Sequence, residues 1–137
     1  RHSYPIIKKT GEFVINLTTE SLAYATDWCG VKSGKDFRKF EEMKLTPIAG
    51  SVVKAPLVKE SPLNIECKVK EIIPLGSHDM FIADVVNVVA DSQYIDPETK
   101  AFNLAASHLL VYTHGHYYKM GDEIGKFGWT VQKKKKK

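Results

Sequence analysis

The sequence lacks most of the signatures by which a small protein announces its chemistry. Its two cysteines, Cys29 and Cys67, form no CxxC pair and no zinc-ligand spacing, which argues against a disulfide framework or a structural zinc site. The dinucleotide fingerprint GxGxxG is missing: Gly115, Gly121, Gly125 and Gly128 are wrongly spaced, and no strand-loop-helix unit surrounds them. GDEIGK separates its glycines by three residues where a P-loop needs four. No GxSxG elbow or Cys–His pairing marks a nucleophile. His114 and His116 have no third ligand at a sensible spacing and read as loop histidines. No apolar run approaches the ~20 residues needed to span a bilayer, and no internal repeat is present. The first residues show no basic-then-apolar leader, so a cytoplasmic location without membrane contact is expected. Asn16-Leu17-Thr18 matches a glycosylation sequon, which without evidence of secretion is chance.

What is present describes an ordinary globular chain. Its 137 residues suffice for one core, so a single domain is expected over 1–132, followed by a lysine tail at 133–137. The formal charge of +4 misleads, because Lys133 to Lys137 carry five positive charges and the rest is close to neutral. A terminal lysine run is read as a solvated tail, and no nucleic-acid partner is expected.

Patterning predicts a mainly β chain with short helices. Ser3 is placed to cap a helix over Tyr4–Lys9, which Gly11 ends. EFVINL, from Glu12 to Leu17, reads as a strand. Thr18 is expected to cap a helix reaching about Cys29, with Leu22, Ala25 and Cys29 on one face and Gly30 as its stop. After a turn at Ser33-Gly34, a third short helix should bury Phe37, Phe40 and Met43. Pro47, Gly50 and Pro56 break up the next stretch, with edge strands expected around Val52 and Leu57. LNIECKVKEII alternates, predicting Leu63, Ile65, Cys67 and Val69 inward and Asn64, Glu66, Lys68 and Lys70 outward. PLGSH turns the chain and DMFIADVVNVVA returns, making a long hairpin. DSQYIDPETK is a polar loop with a turn at Asp96-Pro97. AFNLAASHLLVYT is open between helix and strand, and the glycine-punctuated remainder is expected to close over a core as short strands.

Three polar clusters remain. Arg1-His2-Ser3 puts a guanidinium and a hydroxyl where a helix begins and amide N–H groups are unpaired; this suits a phosphate, or is a plain helix start with a solvated arginine. Ser33-Gly34-Lys35-Asp36 is a second helix entry, with the same two readings. Gly76-Ser77-His78-Asp79 lies at the hairpin turn, whose chemistry accounts for every residue except the histidine. Asp and Glu are scattered, with no pair suited to acid–base work. Any chemistry is therefore expected to belong to a bound cofactor.

In order, these segments resemble the flavin reductase-like family, whose fold is the FMN-binding split β-barrel, Greek-key-like. RHSYPIIKKTGEFVINL is similar to that family's arginine-to-serine segment running into a helix and strand. DWCGVKSGKDFRKFEEMKLTP is similar to its CG-x-x-SG-x-D-x-x-KF block, VKAPLVKESPLNIECKVKEIIPLGSHDMFIADV to its long hairpin, and GHYYKMGDEIGKFG to its closing tyrosine–glycine segment. The resemblance implies an NAD(P)H:flavin oxidoreductase that passes a hydride from NADH or NADPH to FMN and on to an acceptor. Its alternatives are a flavoredoxin-type FMN electron carrier without NAD(P)H activity, or a fragment that binds nothing. It implies that Arg1, His2 and Ser3 bind the FMN phosphate, that Ser33, Gly34 and Lys35 approach the phosphate or ribityl end, that His78 lies near the isoalloxazine, and that Tyr117, with Tyr118, walls the ring. It further implies a homodimer, a possible redox protein partner, no catalytic side chain and no metal. Because members carry residues before the arginine, the barrel is expected to be incomplete at its N-terminus.

Overall fold

The structure, a computed structural model, describes residues 1–132; the lysine tail expected at 133–137 lies outside them. Helix α1 (Ser3–Thr10) leads into strand β1 (Glu12–Asn16), and a single 3-10 turn (Glu20–Leu22) into α2 (Ala23–Val31) and the one-turn α3 (Lys39–Glu42). Two-residue strands β2 (Pro47–Ile48) and β3 (Leu57–Val58) pair with each other. The long strands β4 (Leu63–Pro74) and β5 (Asp79–Ala90) form the expected hairpin, and β1 joins β4 to give an antiparallel sheet in the order β1-β4-β5. A last hairpin, β6 (Leu110–Thr113) and β7 (His116–Lys119), stands apart. The chain is thus mainly β with short helices, and its described strands form three sheets without closing a barrel. Among the described residues no helix is long and apolar enough to cross a membrane.

Local chemistry accounts for most boundaries and for several departures from expectation. Gly11 ends α1 in left-handed geometry (φ 67°, ψ 16°), its N–H donating to Ile7 O at 2.8 Å. Ser3 does not cap this helix. It is the first helical residue, and His2 before it is itself helical (φ −60°, ψ −35°), so no side chain folds back onto the first turn. Thr18 caps nothing either: Thr19 pairs as a β-bridge with Leu109, and α2 starts four residues later. Gly30 does not end α2, which runs to Val31 and closes with Lys32 N–H on Trp28 O at 2.9 Å. Gly30 keeps out of the left-handed region, so nothing forces a stop. Phe37 precedes α3 and packs edge-on against Trp28 at 5.3 Å, and no residue of that one-turn helix is buried. Val52 lies in no strand; the edge pair forms around Ile48 and Leu57. The ambiguous segment resolves into both answers, a 3-10 turn at Leu104–Ser107 and then β6.

The largest departure concerns which face of β4 is covered. Alternation puts Asn64 and Glu66 outward, yet they are 3% and 0% exposed, while Leu63, Ile65 and Val69 are only half-buried. The segment between β2 and β3 folds over their face and supplies hydrogen bonds. Glu66 Oε1 accepts from Val52 N (2.8 Å) and Val53 N (3.0 Å), and Glu66 Oε2 from Asn87 Nδ2 (2.5 Å). Asn64 Oδ1 accepts from Val58 N (3.0 Å) and Asn16 Nδ2 (2.5 Å). A register shift at Glu66/Cys67 keeps Cys67 buried next to Glu66. Val53, Leu57, Pro62 and Cys67 are packed here. The closing segment covers no core: Ile124 and Phe127 are fully solvent-exposed.

Candidate functional site

The last turn of α2 organises a pocket of about 550 Å³ between the start of α1 and the loop into α3. Carbonyls at a helix C-terminus have no partner in the helix and carry partial negative charge, so they attract cations. Two arrive from distant parts of the chain. Arg1 Nη1 donates to Gly30 O at 2.9 Å, and Lys39 Nζ donates to Cys29 O at 2.5 Å. Lys32 adds a third positive charge to the lining, and none of the three has a carboxylate partner among the described residues. His2 and Ser3 line the pocket from α1 and Ser33 and Gly34 from the opposite loop. A Cβ on Gly34 would lie 3.0 Å from His2 Cδ2, so the two walls approach closely here and a side chain would require the His2 ring to shift by a few tenths of an ångström.

Of the residues singled out from sequence, Arg1, His2, Ser3, Ser33 and Gly34 therefore share one pocket although some thirty positions separate the two groups. Lys35 is not in the lining; its backbone N–H donates to Ser33 Oγ at 3.1 Å, fixing the turn. His78 stands at the β4–β5 tip with Nδ1 2.9 Å from Ser77 Oγ. Tyr117 is held elsewhere, exposed on β7 with its hydroxyl donating to Asp27 Oδ1 at 3.1 Å; partial desolvation and that carboxylate push the phenol pKa upward. Tyr118 is exposed. The adjoining Asp79 accepts a hydrogen bond from the Tyr4 hydroxyl, which ties the hairpin to α1.

Sequence reasoning missed Ile6, Cys29, Gly30, Lys32 and Lys39 as lining residues. The signal for Lys39 was present, since it is the lysine of the KF pair closing the CG-x-x-SG block. Cys29 is half-buried, and burial raises its thiol pKa, outweighing the opposite pull of Lys39. Cys67 is raised by burial alone. Both are thus poor nucleophiles near neutral pH. Among the described residues no cluster of three His, Cys, Asp or Glu side chains could hold a metal ion.

A positively charged pocket between two helix ends, beside a sheet built on a long hairpin, defines a class. The chain belongs to the Flavin reductase like domain family, whose model matches residues 1–121. It is similar in structure to flavoredoxin of Desulfovibrio vulgaris (Miyazaki F), with a TM-score of 0.86 and 26% identity over 96% of this chain and 70% of that one. A split-barrel-domain protein of Shewanella frigidimarina gives a TM-score of 0.78 and 28% identity over 93% of this chain and 65% of that one. In sequence it is 31% identical over 96 residues to an uncharacterized Archaeoglobus fulgidus protein, covering 70% of this chain and 54% of the relative. The fold is that of the split-barrel flavin reductases, and the chain spans about half the length of the curated relatives it matches.

Proposed function

We propose that this chain is the FMN-binding part of a flavin-dependent oxidoreductase, and that the pocket between α1 and α2 holds the FMN phosphate. The observation that carries the reading is the donor set. Arg1, Lys32 and Lys39 offset a dianion, Ser3 and Ser33 present hydroxyls, and Arg1 and Lys39 are already oriented by the α2 carbonyls. Bound FMN would supply the two-electron chemistry, accepting a hydride from NADH or NADPH and passing electrons to an acceptor. The chain's own residues bind the phosphate, fix the cofactor's position and limit water. No side chain of the pocket acts as acid or base. A cytoplasmic homodimer that meets a redox protein or small-molecule acceptor completes the proposal.

A second reading is favoured by the likeness to flavoredoxin: an electron carrier that binds FMN but does not react with reduced nicotinamide. Anaerobic stopped-flow mixing with NADH or NADPH separates the two, since bleaching of the flavin band within seconds is expected only of the reductase. Binding itself is tested by titrating the chain with FMN. Arg1→Ala should weaken FMN at least about tenfold, the cost of one charge-assisted contact, with little effect on riboflavin, which lacks the phosphate. Equal losses for both flavins, or no uptake of FMN by the unaltered chain, would remove the phosphate assignment.

A further inference from the structure

We propose that a second cavity, behind the cationic pocket, is a ligand site for a small aromatic carboxylate, with the ring among apolar side chains and the carboxylate on Lys39. The cavity measures about 400 Å³, within the size range of small-molecule sites, and lies between α2, α3 and the β3 region. The stripe Leu22, Ala25 and Cys29, legible in the sequence as one face of α2, faces this space instead of packing into a core. Phe40, Leu45 and Val58 complete the apolar wall.

The polar side chains around it are mostly turned away onto protein partners. Thr26 Oγ1 donates to Leu22 O (2.8 Å), Ser61 Oγ to Leu17 O (2.7 Å), and Asn16 Nδ2 to Asn64 Oδ1 (2.5 Å). The Thr18 hydroxyl and the Lys39 ammonium remain. Lys39 lines both cavities, and an ammonium has three N–H bonds, of which only one is used on Cys29 O. A lone cation in the lining of an otherwise apolar cavity selects a ligand with one negative end and a hydrophobic body. A doubly charged or sugar-like ligand would leave its polar groups unpaired against the walls. The two cavities share Cys29, Gly30 and Lys39, and this site rests on the reading of the cationic pocket through Lys39, the one shared charge.

The test is titration of the ¹⁵N-labelled 137-residue chain with 2-naphthoate, followed by amide chemical shifts. Saturable shifts are expected over residues 22–26 and at Phe40 and Leu45. Lys39→Met should weaken 2-naphthoate roughly tenfold or more while changing the neutral 2-naphthol little, and Ala25→Phe, which fills the cavity, should weaken both. Inorganic phosphate, titrated separately, reads the cationic pocket through Arg1–Ser3 and Ser33–Gly34 and should be insensitive to Ala25→Phe. Naphthoate shifts that are absent, or confined to the cationic pocket, overturn the proposal. A retained phosphate response then shows that the failure belongs to this cavity alone. If Ala25→Phe does not fold, nuclear Overhauser contacts from the naphthoate ring to Leu22 and Phe40 in the unaltered chain decide, and their absence overturns the proposal equally.

Discussion

Glu66 carries a charge in the least exposed position of the long hairpin because three donors converge on it. The Val53 amide is the largest influence holding its carboxyl below the usual range; burial opposes it, and Val52 and Asn87 add to it. A carboxyl with a depressed native pKa stabilises the fold fully above its unfolded value, about 4.3, and that contribution disappears as pH falls through the native value. Acid unfolding of the unaltered chain should therefore steepen below about pH 4. Glu66→Gln should lower the thermal midpoint by roughly 5–10 °C at pH 7 and flatten the decline in acid. A Gln variant with unchanged midpoint and unchanged acid limb would show that these bonds contribute nothing net. None of this is visible in LNIECKVKEII. Alternation reports only that one face differs from the other, and the donors that bury Glu66 come from the Val52 and Val53 amides more than ten positions upstream and from the Asn87 side chain on the facing strand.

Among elements, the segment joining β2 to β3 matters more than its lack of regular structure suggests. Gly50 lies where a Cβ would fall 2.5 Å from Val53 O and 2.6 Å from Glu66 Oε1. The first of these is backbone and cannot swing aside. Gly50→Ala should consequently cost about 2–3 kcal/mol, read as a lower urea midpoint at unchanged slope. A neutral result would mean that the loop relaxes away from Glu66. Lys54 N–H donates to Glu12 Oε2 at 2.7 Å, so the same segment is also tied to β1. In the sequence Gly50 was readable only as a breaker between two prolines. The helices were better marked: Gly11 stopped α1 as its type suggests, whereas Gly30 stayed inside α2. A glycine permits a left-handed stop without compelling one.

For the molecule as a whole, the fully packed apolar core is small, while Ile15, Val85 and Val88 of the β1-β4-β5 sheet remain substantially exposed. Marginal stability follows, and ligand binding should be conspicuous against it. If the proposed pocket holds FMN, the cofactor at about one hundred times its dissociation constant should stabilise by about 2.7 kcal/mol, or roughly 10 °C in thermal midpoint for a chain of this size. Differential scanning fluorimetry with FMN and, separately, riboflavin checks this. No rise with FMN at saturating concentration would contradict the phosphate pocket. The long hairpin was legible because two β-prone runs of 12 residues each flank a turn signal, and the shorter elements were legible in order from their local turn and breaker residues. Arg1 and Ser33 were recognisable as candidates, but their shared pocket was not, since it is made by Arg1 reaching the Gly30 carbonyl near the end of α2.

The sequence by itself determined the family, the mainly β character, the β4–β5 hairpin, and the first helix with its glycine stop. These follow from local backbone preference and from motifs kept in order along the chain. Only the tertiary structure decided that Lys32 and Lys39 join Arg1 where Lys35 does not, that His78 and Tyr117 lie outside the pocket, and that the polar face of β4 is the buried one. Arg1, Lys39 and Glu66 are placed by backbone carbonyls and amides that another segment brings within hydrogen-bonding reach, and Tyr117 by the Asp27 carboxylate, and no local pattern encodes those distances.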